Sequence, residues 1–175
     1  MNRGQLKDYL PKGEVTKAVP TAQHSSIELY KTANKQASFI AEAMLDFAAT
    51  DGKTYNKVVL VLVKRDAQNK AIATVRYFLD IAPAKVLFHD LWLGALHNEH
   101  SEYKVLHGTE RALKMTPLDN TGAYRVSVMN KADGETESLY FDLSRFQVRC
   151  LARMVLDHLQ AWQIASAIYK RKVLG

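Results

Sequence analysis

The residues best suited to chemistry in this chain are cations and aromatic rings interleaved along alternating segments. Arg76, Tyr77, Lys85, Trp92, Tyr103, Lys104, Arg111, Lys114, Arg125 and Tyr140 all fall on segments that read as strands. Single-stranded nucleic acid needs both components: cations neutralise phosphates, and flat rings stack on unpaired bases. A strand face presents such groups at regular spacing. Any one of these rings is also a natural core residue, because aromatics fill interiors readily.

Catalytic patterns are absent from the sequence. His97 and His100 flank Glu99, a spacing that could hold a metal if the segment were helical, but nothing nearby completes a zinc pattern. Two solvated loop histidines are the plainer expectation. His89 and Asp90 are adjacent, so on a strand they face opposite sides. Asp51-Gly52-Lys53-Thr54 resembles the end of a phosphate loop, yet it lacks the upstream glycine and follows a segment that reads as helix. No nucleophile elbow, Cys-x-x-Cys or dinucleotide glycine fingerprint is present. These observations imply no catalytic residue, no metal and no cofactor.

Charge supports a polyanion partner. The chain has 175 residues and a formal charge of +6, with a pI near 9.4. Such a balance favours nucleic acid or acidic lipid, although basic proteins also use it for solubility. An apolar fraction of 47% suffices for a core without staples. Cys150 is the sole cysteine, so no intrachain disulfide is possible. A buried, inert thiol in a reducing compartment is expected. With no long apolar run and no signal-like start, the sequence reads as a soluble cytoplasmic protein.

The elements that position these groups read as follows. Residues 1–24, punctuated by Pro11, Gly13 and Pro20, look like a flexible basic arm. Residues 25–175 form a single α+β domain. Ser25 to Thr50 reads as a helix with an apolar stripe of Tyr30, Ala33, Ala37, Ile40, Met44 and Phe47. From Lys53 to Leu143 the period is 2. The run Val58 to Val63 suggests a central strand buried on both sides. Asp66 to Asn69 turns the chain into a return strand, Ala71 to Leu79. Beyond Pro83, Lys85 to Leu93 reads as another strand. Residues 95–101 are a loop, and Tyr103–His107 and Arg111–Thr116 make a hairpin around Gly108. The last hairpin, Tyr124–Met129 with Ser138–Leu143, runs into a long helix. Ser144 and Gln147 form a capping box there. Val148, Leu151, Val155, Leu159, Trp162 and Ala165 form the helix's stripe, and Lys170, Arg171 and Lys172 close it. The expected architecture is one twisted antiparallel sheet of six or seven strands, packed by an N-terminal and a long C-terminal helix.

Consecutive strands over Lys57 to Leu143, followed by a long helix over Ser144 to Lys172, resemble the Whirly-type single-stranded-DNA-binding transcriptional regulators. That family pairs strand–helix modules and binds single-stranded DNA along strand surfaces and edges. The resemblance implies that the basic strand residues face DNA and that the chain self-associates as a homo-oligomer. Two departures stand out: the Lys-Gly-Lys-Ala-Ala-Leu motif of the plant proteins is absent, and only one long-helix module is legible. The leading functional expectation is therefore a non-enzymatic protein binding single-stranded DNA or RNA with limited sequence specificity. An oligomeric scaffold or partner-binding module is the competitor, followed by an enzyme with a pocket between sheet and helix.

Overall fold

A computed structural model describes residues 26–48, 53–106, 108–118 and 121–174. The proposed arm lies outside the described residues. Two four-stranded antiparallel meanders each run into a helix. The first comprises β1 (Ile27–Ala33), β2 (Ala37–Ala48), β3 (Thr54–Arg65) and β4 (Ala71–Asp80), followed by α1 (Ile81–Leu93). The second comprises β5 (His100–Leu106), β6 (Thr109–Leu118), β7 (Ala123–Ala132) and β8 (Glu135–Leu143), followed by α2 (Arg145–Leu174). Strand order within each sheet follows the chain.

This corrects the expectation of one sheet in two ways. The described residues of the segment Ser25–Thr50 hold no helix: residues 27–33 and 37–48 are β1 and β2. Asn34 turns the chain between them, its side-chain oxygen accepting from the N–H groups of Gln36 and Ala37 at 2.9 and 2.8 Å. Phe39, Ala41 and Ala43 alternate into the core, and β2 pairs with both neighbours. The alanine-rich composition favours helix locally, but pairing on both sides of β2 overrides so weak a preference. A bulge near Asp46 (φ 55°) interrupts the pairing with β3.

The segment Lys85–Leu93 is likewise helix, not strand. Ala84, Leu87, Phe88 and Leu91 are its buried residues, one stripe at helical spacing. Pro83 sits in the first turn, where a missing N–H costs nothing. Gly94 ends the helix at φ 71°, a left-handed position that glycine occupies freely. With this segment helical, the chain holds a second strand–helix module, and the strands divide into two sheets.

Other expectations hold. All six residues from Val58 to Val63 are buried. The Asp66–Asn69 turn, the hairpin around Gly108 and the hairpin of β7 and β8 are present. At the start of α2 the Ser144 N–H donates to Gln147 Oε1 at 2.9 Å, and the Gln147 N–H donates to Ser144 Oγ at 3.3 Å.

The core is continuous across both modules. It takes Phe39, Leu60 and Tyr77 from the first sheet, Leu113, Val126 and Phe141 from the second, Leu87 and Phe88 from α1, and Leu151 and Val155 from α2. Polar ties fix the helix to the first sheet. Gln147 Nε2 donates to Thr32 Oγ1 at 2.7 Å, and Trp162 Nε1 donates to Asp46 Oδ2 at 2.7 Å. Because the core lies between the modules, the opposite face of the second sheet turns outward.

Candidate nucleic-acid interface

The outer face of the second sheet gathers Tyr103, Lys114, Arg125 and Tyr140. Alternation puts them there, since Leu113, Met115, Tyr124, Val126, Val128, Phe141 and Leu143 fill the inner face. Register sets their rows. Tyr140 lies opposite Ser127, Ser127 opposite Lys114, and Lys114 opposite Ser101. The next row runs Tyr103, Ala112, Met129, Ser138. The tyrosines stand on edge strands, three strand spacings or about 14 Å apart across the sheet. Between them the surface is mostly small side chains. Tyr103 is 59% exposed and Tyr140 60%. The Arg125 guanidinium lies over the Tyr140 ring, 4.4 Å from its centroid, and stacks on one face of it.

The cations of this face are paired. Arg125 binds Asp142 through two N–H groups at 2.7 and 2.8 Å. Lys114 sits 3.2 Å from Glu99, and Lys131 3.2 Å from Glu110. Hydrogen bonding to Arg125 holds the Asp142 carboxyl below its usual range. Lys114 and Lys131 do the same for Glu99 and Glu110. The face is thus near-neutral, with Arg125 held by a two-bond contact to Asp142 and Lys114 and Lys131 each in a single exposed ion pair of the weaker kind.

The remaining expected residues lie elsewhere. Tyr77 is fully buried and is not available for stacking; its hydroxyl donates to Glu102 at 3.1 Å. Burial first, then the Glu102 charge, drives its phenol pKa upward. Lys104 and Arg111 sit at the seam between the sheets. Lys104 donates to Asp80 at 2.7 Å and to the Phe78 carbonyl at 3.1 Å. Arg111 lies over the Phe78 ring at 5.0 Å. Asp80 also accepts from Lys57, and the bonds from Lys104 and Lys57 together lower its pKa. Arg76 is exposed on the outer face of the first sheet. Lys85 and Trp92 are helical residues of α1. They line an open cleft of about 630 Å³ against α2, together with His89, Asp90, Arg153 and Asp157. Among the described residues no cluster of His, Cys, Asp and Glu could hold a metal, and no helix is long and apolar enough to cross a membrane.

One basic site is assembled only by strand pairing. The β1–β2 and β3–β4 turns lie side by side, joined by the Arg65 N–H donating to the Gln36 carbonyl at 2.8 Å. Arg65 also donates from Nε to Ser38 Oγ at 3.1 Å and from Nη1 to the Asn69 carbonyl at 2.9 Å. Around this clasp stand Lys35, Lys64 and Lys70, all exposed and without a carboxylate partner among the described residues. Asp66 is the acid of the β3–β4 turn, and its carboxylate already accepts from the N–H groups of Gln68 and Lys70. Cations flanking turns were visible in the sequence; their convergence needed the pairing of β2 with β3.

Paired four-strand–helix modules with a long terminal helix match a known architecture. The fold is Whirly-like. WHY1 from Arabidopsis thaliana superposes with a TM-score of 0.62 at 12% identity, covering 85% of this chain and 93% of that one. WHY3 from the same organism gives 0.61 at 14%, covering 85% and 97%. The plant transcriptional regulator PBF-2 gives 0.58 at 12%, covering 84% and 89%. No family model and no curated protein sequence matches the chain. The missing second module of the sequence reading is present here, with α1 as its helix. At such identities the Whirly-like likeness speaks for the fold.

Proposed function

We propose that this chain is a non-enzymatic nucleic-acid-binding protein that prefers single strands and reads sequence weakly. One observation carries the reading: two exposed tyrosines bracket an outward sheet face that also carries Lys114 and Arg125. Stacking on exposed rings selects unpaired bases while tolerating any sequence. The basic turn clasp of the first sheet supplies the unpaired charge that the tyrosine face lacks. The Whirly-like fold agrees with this use of strand surfaces. DNA and RNA are both accommodated by such contacts.

The direct test is anisotropy with labelled oligonucleotides across a salt series. Binding should fall steeply with salt, because each phosphate contact on a single strand contributes about 0.7 to the log–log slope. Changing Lys35, Lys64 and Lys70 together to Gln should reduce that slope by about 2. A wild-type protein that ignores single strands at low salt would overturn the reading.

Self-association belongs to the same proposal. On α2, Met154, Ile164 and Ile168 are 48%, 54% and 52% exposed. They recur at intervals compatible with a helix–helix seam, leaving apolar surface that a second copy can cover. Light scattering should give a mass above the 19.7 kDa monomer. The pair I164E and I168E should return the protein to monomer; an unchanged mass would assign assembly to another face.

A further inference from the structure

A cleft of about 470 Å³ opens beside the end of α1 and the start of α2, with Pro117, Thr121 and Gly122 also in its lining. Its lining includes Arg145 and Arg149 on one wall and His97 on another, with Leu96, Pro117 and Val148 between them. Neither guanidinium has a hydrogen-bond or carboxylate partner among the described residues. No acidic side chain lines the cleft among the described residues. This contrasts with the second-sheet face, where each of Lys114, Arg125 and Lys131 has its acid.

Placing two cations here costs free energy. Arg145 and Arg149 are one turn apart, a spacing at which like charges repel. Arg145 also occupies the positive end of α2, whose first turn contains no acid. The helix's own N–H groups are not the attraction, because Ser144 and Gln147 already cap it. The Arg145 stem has one close neighbour. A Cβ added to Gly122 would meet its Cγ and Cδ at 3.2 Å. The arginine stem therefore lies directly on the bare glycine backbone, whose φ of 74° suits glycine. Both arginines are exposed, and no described residue neutralises them.

We infer that this cleft binds a phosphate group, held between Arg145, Arg149 and His97. Guanidinium groups match the geometry of phosphate oxygens through paired N–H donors. The apolar stretch of Leu96, Pro117 and Val148 leaves room for a small organic body attached to that phosphate. The group can arrive as a free phosphate or as the terminal phosphate of a strand. The site stands apart from the tyrosine face and does not depend on it.

The test is thermal unfolding of the full chain in sodium phosphate against sodium chloride at matched ionic strength and pH. At about a hundredfold excess over Kd, phosphate should raise Tm by roughly 5 °C or more. The double variant R145Q and R149Q should lose that rise. Its Tm in chloride should equal or exceed that of wild type, because removing the repulsion relieves the helix; this also shows that the variant folds. Anisotropy with 5′-phosphorylated and 5′-hydroxyl oligonucleotides separates the two sources. Tighter binding of the phosphorylated strand, lost in the double variant, assigns the strand terminus; equal binding, with the Tm rise intact, assigns the free anion. No Tm rise in wild type, or the same rise in the double variant, overturns the site.

Discussion

Replacing Tyr103 and Tyr140 together with alanine should weaken single-strand binding by roughly 30-fold to 10⁴-fold, because each base–ring stack is worth about 1–3 kcal/mol. Unfolding should barely change. Both rings are well over half exposed, and surface substitutions usually stay within about 0.5 kcal/mol. Conservative replacement by phenylalanine should retain most of the affinity, since the ring rather than the hydroxyl does the stacking. That last comparison separates a stacking platform from a mere polar patch. Duplex binding should lose much less than single-strand binding, because paired bases offer no open face. Unaltered single-strand affinity in the double variant would remove the second sheet from the interface and leave the basic clasp of the first sheet to account for any binding.

The second large effect is on stability. Phe39→Ala should cost about 3–5 kcal/mol, as expected for deleting a fully enclosed phenylalanine. Phe39 is completely buried on β2. Its ring centroid lies 6.4 Å from that of Tyr30 on β1 and 6.3 Å from that of Phe141 on β8. It therefore joins neighbouring strands and also the two sheets. The loss should appear as a lower denaturant midpoint with an unchanged slope, meaning that both modules still unfold together. Two separated transitions would show that the modules are held by something other than this shared core. A cost under about 1 kcal/mol would mean that the surrounding side chains collapse into the cavity.

The sequence alone carried much of the local structure. The unbroken apolar run Val58–Val63 marked β3, and alternation placed β4, β7 and β8. The same alternation separated Val126 and Val128 from Arg125 and Ser127, so part of the tyrosine face was legible before any contact was known. The Ser144–Gln147 pair marked where α2 begins. These features depend on neighbours within a few residues, and short-range chemistry is what a linear pattern records.

Tertiary structure decided the rest. Alanine-rich β2 became a strand because β1 and β3 satisfy its backbone, an influence that no local propensity contains. The short apolar run of α1 fits either period on its own, and only its packing against α2 makes it a helix. Whether a ring is a core residue or a platform also depended on distant partners: Tyr77 faces the shared core, whereas Tyr103 and Tyr140 face water. Pairing settled the charges in the same way. Arg125 meets Asp142 through strand register, while Lys35, Lys64 and Lys70 converge because two turns share one end of a sheet. Burial and Coulomb energy depend on distance in space, and distance along the chain does not encode it.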